Sequence, residues 1–387
     1  MKILHITPYY WPAVRYGGPV FSVMGLCTAL AKKGHDVHVY STNQDGPDAL
    51  KATVNKPVVQ NGVTVRYFAS PTPFSRFFYS PSMAQAVAEN IASFDIVHIH
   101  TCFSWTTGMA SRIAIKSVVP YVFSPRGMLE KSLFTAKSTV AKWLWLYLIG
   151  KKVLRRAKSI HVTSQREQLD LEKFGIPTAK IKIVANGVTT PTKISDHKNQ
   201  VLQPWQKQDY ILALGRISWI KGLDRLISAW SFGIKPPLII AGNDDETITS
   251  KLFAQARAEG VADKIHFIGP VDGEKKWLLL KNASLLVLPS HSENFGNVVL
   301  EAMAVGCPVI TTPQVGAATI VENAKAGLVV TGKPLIISQA ITELLADQYL
   351  HKSMSKRGID HVKRYYTWDI IAGEMEELYL DNKSIKK

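Results

Sequence analysis

The segment Leu285–Thr312, LLVLPSHSENFGNVVLEAMAVGCPVITT, limits what this chain can fold into more than any other. Leu285–Leu288 is a short apolar run stopped by Pro289, and Ser290–Gly296 is polar and closes on glycine. Asn297–Val305 carries helix formers at helical apolar spacing, and Gly306 and Pro308 end it before Val309–Ile310. A buried strand that feeds a helix through a glycine-bearing loop is the half-unit of a parallel sheet. The helix start at Gly296-Asn297 offers backbone N–H groups and a positive dipole end, which suits a phosphate. Two carboxylates bracket it: Glu293 in the loop and Glu301 one turn into the helix, on the face it shares with Asn297.

The same alternation runs through both halves. Lys2–Thr7 predicts a buried strand, Gly17-Gly18-Pro19 opens a helix over Val20–Lys33, and Val37–Tyr40 predicts the second strand, which together make a βαβ unit. No G-x-G-x-x-G is present, but the paired glycines Gly17 and Gly18 can bring backbone close to a phosphate or a sugar, or can serve as a tight turn only. Asp45–Ser82 is irregular, with one strand over Val63–Phe68, and Met83–Ser93 predicts a helix. Asp95–His100 is the next strand; His98 and His100 face one side of it, and His100 stands at its tip, where open α/β sheets place ligands. Tyr121–Gly127 is another strand exit, with Arg126 either holding an anionic group or sitting in a surface turn.

Thr189–Gln208 has two prolines and no apolar rhythm, and reads as a linker. The pattern restarts at Tyr210–Leu214, with Gly215-Arg216 and Lys221-Gly222 in the loop before a helix over Leu223–Trp230. Arg216 can fork onto a pyrophosphate and Lys221 can neutralise it as a point charge. Strands over Pro237–Ala241 and Ile265–Ile268, a helix over Trp277–Leu280, a Ser338–His351 helix and a last helix over Asp369–Asp381 complete the pattern.

The chain's 387 residues are enough for two domains. Its start lacks a signal-peptide core, no run is long enough to span a membrane, and the three cysteines are scattered, so a cytoplasmic protein is expected. A net charge of +16 admits nucleic acid, anionic membrane or phosphorylated substrates as partners. Residues 131–158 hold eight Lys or Arg and no acid around Trp143–Ile149. Two readings stay open: a segment lying peripherally on an anionic membrane surface, or a domain helix with a buried apolar stripe and a solvated basic face.

Glu-x7-Glu with Phe295-Gly296 after the first Glu and Ala302-Met303-Ala304 after the second resembles the donor signature of the retaining glycosyltransferases of family 4, of the bacterial surface-polysaccharide type. The resemblance covers nearly the whole chain and includes the glycine loop with Leu30–Val37, the His98-x-His100 strand, the Ala185–Val188 turn and the Gly215-Arg216…Lys221-Gly222 element. It implies the GT-B fold, two Rossmann-like domains facing a cleft. Residues 1–188 would be the acceptor-binding domain, 189–208 the linker, 209–367 the nucleotide-sugar domain, and 368–387 a helix crossing back to the first domain. It implies donor contacts from Gly17, Gly18, Arg216, Lys221, Gly269, Phe295, Gly296, Asn297, Val298 and Glu301, with acceptor binding at Arg126. His100 would lie beside the transferred sugar. The chain departs from the family in lacking an acid between Val315 and Ile320.

The reaction implied is retaining transfer of a glycosyl group from a nucleotide diphosphate sugar to a hydroxyl of a glycan or lipid-linked acceptor, in polysaccharide or glycolipid synthesis. Catalytic roles fall to Glu293, His100, Arg216 and Lys221. Arg216, Lys221 and the helix start would stabilise the leaving diphosphate, while Glu301 would hold the ribose. Glu293 would lie at the sugar, and its acting as a nucleophile is left open. No cofactor or metal is implied, and Asp244-Asp245 reads as a solvated loop. A glycosidase would have no use for the phosphate-binding cations. A nucleotide-sugar epimerase of the same fold is the nearer rival. A non-enzymatic polyanion- or membrane-surface-binding protein explains the charge but leaves Glu293, Arg216 and Lys221 unused, and nucleic acid is not expected as a partner.

Overall fold

The computed structural model describes residues 1–71, 75–130, 139–191, 209–244 and 246–383. The chain divides into two compact units, Met1–Gly187 with Trp368–Lys387, and Val188–Thr367. The first is built on an eight-stranded sheet. Its strands are β1 (Lys2–Thr7), β2 (Asp36–Thr42), β5 (Pro57–Gln60), β6 (Val63–Phe68), β7 (Ile96–His100), β8 (Tyr121–Ser124), β9 (Ser159–Val162) and β10 (Ile181–Ile183), while β3 (Gln44–Asp45) and β4 (Asp48–Ala49) form a separate hairpin. The order is β10-β9-β8-β7-β1-β2-β6-β5, parallel except for β5 at the edge, which runs antiparallel to β6. The second unit carries a six-stranded, wholly parallel sheet of β11 (Ile211–Leu214), β12 (Leu238–Ala241), β13 (Ile265–Gly269), β14 (Leu285–Leu288), β15 (Val309–Thr311) and β16 (Gly327–Val329), in the order β13-β12-β11-β14-β15-β16.

Both sheets are covered on their two faces, which is why their central strands read as unbroken apolar runs. Every residue of β7, β8, β11, β12 and β14 is buried. Crossover helices do the covering. Two of them, Trp105–Lys116 and Thr249–Ala258, are absent from the sequence reading. Ser104 marks the first, its side chain accepting from the Thr107 amide. The expected Ser338–His351 helix is two helices, Pro334–Ala346 and Gln348–Tyr365. Asp347 breaks it: its backbone leaves the helical region (φ −105°, ψ 91°), and its side chain caps the second helix at the Leu350 amide. The Val20–Lys33 helix starts earlier, at Gly18, because Pro19 fits the first turn, where no N–H partner is needed. Of the expected linker, residues 192–208 lie outside the described residues, as do 131–138 of the basic segment and Asp245.

The last helix, Trp368–Asn382, belongs to the first unit. Lys33 and His35 meet its Glu376 at 3.1 and 3.2 Å. Its first residue explains two glycines. A Cβ on Gly25, in the helix Gly18–Lys32, or on Gly187 would overlap the Trp368 indole. At an open helix position, Gly→Ala gains about 1 kcal/mol from propensity. Gly25→Ala should reverse that sign and destabilise the protein by roughly 1–3 kcal/mol through overpacking. Urea unfolding measures it, and a Gly25→Ala variant as stable as the parent would contradict the packing of Trp368.

Candidate active site

In the second unit the loops after β11 and β14 come together. The loop after β11 runs from Gly215 through Arg216 and a short 3-10 turn, Trp219–Lys221, to Gly222, which caps the helix Leu223–Trp230 in the left-handed region (φ +64°). Only glycine fits there, because a Cβ would collide with the Pro289 carbonyl oxygen at the end of β14. Arg225, on that helix, donates through Nε to the same carbonyl at 2.7 Å, and the His291 amide donates to the Ile220 carbonyl at 2.8 Å. Pinned in this way, Lys221 meets Glu293: its ammonium pairs with the Glu293 carboxylate, both side chains partly exposed. Glu293 is itself held by the loop after β15, with its amide on the Gln314 carbonyl and its carbonyl accepting from the Gly316 amide, at 3.0 and 2.9 Å.

Gly296 (φ +87°) caps the helix Asn297–Ala304, over a buried Phe295. Asn297 and Val298 open this helix, and Glu301 accepts from Lys276 Nζ at 2.8 Å. Lys276 lies on the helix Gly273–Asn282, which follows β13 and Gly269 (φ +73°). Arg216 is exposed and makes no ion pair among the described residues. The strand tips therefore bring together Arg216, the Lys221–Glu293 pair, the Lys276–Glu301 pair and a helix start. A narrow crevice lies among Ala213–Arg216, Lys221 and Val287–Pro289. Asp244 works as a cap, accepting from the Ile248 and Thr249 amides.

In the first unit, Gly17 (φ +70°) caps the helix that starts at Gly18. His100 and Arg126 occupy the tips of β7 and β8, and both are buried. Arg126 lies in the interior rather than in a surface turn. Its Nη1 donates to Asn186 Oδ1 and its Nη2 to His100 Nδ1, both at 3.3 Å, and its Nε has no partner among the described residues. Because arginine only donates, His100 Nδ1 must accept, so Nε2 carries the proton and donates to His5 Nδ1 at 3.0 Å. His161 donates through Nε2 to the Val184 carbonyl at 2.9 Å, leaving its Nδ1 to accept from His98 Nε2 at 3.4 Å. His98 Nδ1 then accepts from the Tyr379 hydroxyl at 2.6 Å. One proton pattern thus satisfies all these contacts, with four neutral imidazoles each protonated on Nε2. Burial, then the positive charge of Arg126, lowers His5 and His161 to about 3, and burial, then the repulsion a second proton would meet among the clustered imidazoles and Arg126, holds His98 and His100 well below the usual range.

Neither nitrogen of His100 is open to a substrate in this arrangement. The ligand atoms of His5, His98 and His100 lie within 4.8 Å of one another, as in a metal site. However, their nitrogens are already engaged in two separate hydrogen-bonded groups, His5–His100–Arg126 and Tyr379–His98–His161, and the Arg126 guanidinium stands at His100, which opposes a second positive charge. The sequence reading missed His5 and His161. Their signal was a histidine on each of three strands at inward positions, which no single strand reveals.

The architecture is that of a GT-B glycosyltransferase. The chain aligns with Anabaena HepE in complex with UDP-glucose at a TM-score of 0.77 and 19% identity, over 98% of this chain and 100% of that one. A family profile described as Glycosyltransferase Family 4 matches residues 16–191, and one described as Glycosyl transferases group 1 matches 195–361. The chain is 26% identical to an uncharacterized glycosyltransferase of Methanocaldococcus jannaschii over 98% of each chain. It is also 26% identical to the D-inositol 3-phosphate glycosyltransferase of Jonesia denitrificans, over 98% of this chain and 95% of that one. It belongs to the group 1, family 4 glycosyltransferases.

The histidine chain sets a pH dependence. Unfolded histidines titrate near 6.5. Folded, these four stay neutral far below that, so at pH 5 the unfolded chain binds protons that the folded chain does not. Stability is full above about pH 7 and falls as pH drops through 6.5, by up to about 1.4 kcal/mol per pH unit for each histidine. Glu167, raised by burial, works in the opposite sense. Urea unfolding between pH 7.5 and 5.5 should show a clear loss; a flat profile would contradict the neutral cluster.

Proposed function

We propose that this glycosyltransferase moves a sugar from a UDP-sugar to a hydroxyl of a glycan or lipid-linked acceptor, with retention and without a metal, in polysaccharide or glycolipid synthesis at the inner face of the cell membrane. The observation that carries the donor reading is the meeting of Lys221 and Glu293 beside an exposed Arg216 and the Gly296 helix start. The likeness to a protein that binds UDP-glucose favours UDP as the nucleotide. In the proposed reaction the bond from the anomeric carbon to the diphosphate oxygen breaks, and its electron pair leaves with UDP. Arg216, Lys221 and the amides of Asn297 and Val298 stabilise the charge that develops. The acceptor oxygen bonds to the same face, and its proton passes to the departing phosphate. Glu293 orients the sugar and Glu301 accepts from the ribose hydroxyls, with Lys276 aiming the Glu301 carboxylate. Gly17 and Gly18 lend backbone to the donor, and Arg126 serves an anionic group of the acceptor. His100 contacts the sugar only if its bond to His5 is exchanged for one to the substrate.

The acceptor reading rests on the first unit's surface. The segment over Thr139–Trp145, Leu146–Gly150 and Lys151–Arg156 is continuous helix. It buries Leu146, Val153 and Leu154, yet leaves Val140 82%, Tyr147 71% and Leu148 63% exposed, together with Trp143 and Leu144. The buried stripe is therefore present, and a second apolar set faces outward among Lys142, Lys151, Lys152, Arg155 and Arg156. A basic, aromatic outer face of this kind suits an anionic lipid surface. Among the described residues no helix is long and apolar enough to cross a membrane.

In calorimetry and a UDP-release assay, Glu301→Ala should weaken UDP binding about tenfold, as expected for a lost charged hydrogen bond. Glu293→Ala and Lys221→Ala should lower turnover, Lys221→Ala by about 10²–10³. Unchanged UDP affinity in Glu301→Ala would contradict the ribose assignment. In sedimentation with phosphatidylglycerol-containing vesicles, the protein should pellet with the lipid, and Lys151/Lys152/Arg155/Arg156→Glu should release it. Absence from the pellet, or binding indifferent to phosphatidylglycerol, would remove the membrane reading.

A further inference from the structure

A cavity of about 310 Å³ opens in the second unit beside the loop that carries Lys221. It is separate from the narrow crevice at Arg216 and Pro289, with which it shares only Leu223. Ligand pockets run from about 300 to 1,000 Å³, so this one fits a single small ring. Ile248 and Leu252 contribute apolar wall, and Trp219 presents an indole that is 47% exposed. His291 stands with its ring 6.2 Å from the indole, and its Nε2 lies 3.7 Å from the Asp224 carboxylate.

Two features of this cavity have no role within the fold. Ser218 lines it, and its hydroxyl, closed off from solvent, has no hydrogen-bond partner among the described residues. A buried hydroxyl left so costs about 1–3 kcal/mol. The Trp219 side chain leaves large apolar area in solvent, although its backbone is well held by the Glu246 carboxylate at 3.0 Å. A ligand that satisfies both must offer an apolar face to the indole and hydroxyl groups at its edge. A pyranose ring does so: its axial C–H face stacks on an aromatic ring while its equatorial hydroxyls reach polar groups. Asp224 can accept from such hydroxyls, His291 can donate or accept, and Ser218 can do either once its side chain rotates toward the cavity. Lys251 and Gln255 also line the cavity and can donate to the ring's hydroxyls.

We propose that this cavity is a carbohydrate-binding subsite, distinct from the donor site, that holds one sugar ring of a glycan. Trp219 is its stacking platform, with Ser218, Asp224 and His291 reading the hydroxyls. Binding there depends on none of the transfer chemistry, so the subsite and the proposed reaction stand or fall separately.

The test uses the full chain labelled with 15N at tryptophan, the Trp219 indole signal being assigned by its loss in Trp219→Phe. Methyl glycosides of glucose, galactose, mannose and N-acetylglucosamine are titrated to high millimolar concentration, with and without saturating UDP. The Trp219 indole signal should shift saturably with at least one glycoside and should do so equally in the presence of UDP. Asp224→Asn, at an exposed position that does not threaten the fold, should weaken that binding about tenfold, the loss of about 1.4 kcal/mol. A signal unmoved by all four glycosides would overturn the proposal. So would a shift that UDP abolishes, because the sugar would then be in the donor site.

Discussion

The contact on which the second unit's chemistry depends is a backbone one: the Pro289 carbonyl at the end of β14 pressed against Gly222 after β11. The two loops could not come this close if residue 222 carried a Cβ. Arg225 then spends its guanidinium on that carbonyl rather than on a ligand, which fixes the separation of the loops. Lys221 and Glu293 are 72 residues apart and meet only because of this approach. Fixed charges held in this way suit the proposed departure of a diphosphate, because they need little rearrangement.

The first unit solves a different problem. It places four imidazoles in the interior beside a guanidinium, with no carboxylate in contact with Arg126 among the described residues. Such a cluster is tolerable only if every histidine is neutral, and the hydrogen-bond directions admit that state without conflict. Tyr379 closes the His98–His161 pair, so the returning helix is tied to β7 by a buried hydroxyl, while Trp368 at its start packs on Gly25 and Gly187. The separate His5–His100–Arg126 group leaves His5 Nε2 and Arg126 Nε as orphaned buried donors among the described residues.

Much of the fold was legible because parallel strands covered on both faces must be apolar throughout, and helix caps and glycines punctuate them. Trp105–Lys116 and Thr249–Ala258 escaped because they open on Trp-Thr-Thr-Gly and Thr-Ser, residues that favour a helix little, so their first turns carry no helix signal. In the site, Arg216, Lys221, Glu293 and Glu301 were legible from order and residue type. Their partnerships were not, since Lys276 reaches Glu301 from a neighbouring helix 25 residues earlier, a proximity set by sheet order rather than by local spacing. Arg126 read as either a surface or a binding residue. Its burial follows from the left-handed turn at φ +56° after β8, which a non-glycine residue gives little reason to expect.

In the proposed reaction the cations after β11 and the helix start after β14 release a diphosphate while the sugar keeps its anomeric configuration. The most direct measurement follows the slow hydrolysis of a panel of α-linked UDP-sugars without acceptor, by 1H NMR of the anomeric proton. The first free sugar to appear should be the α anomer, and Lys221→Ala should suppress its release. A β anomer appearing first, or hydrolysis unaffected by Lys221→Ala, would contradict that reaction.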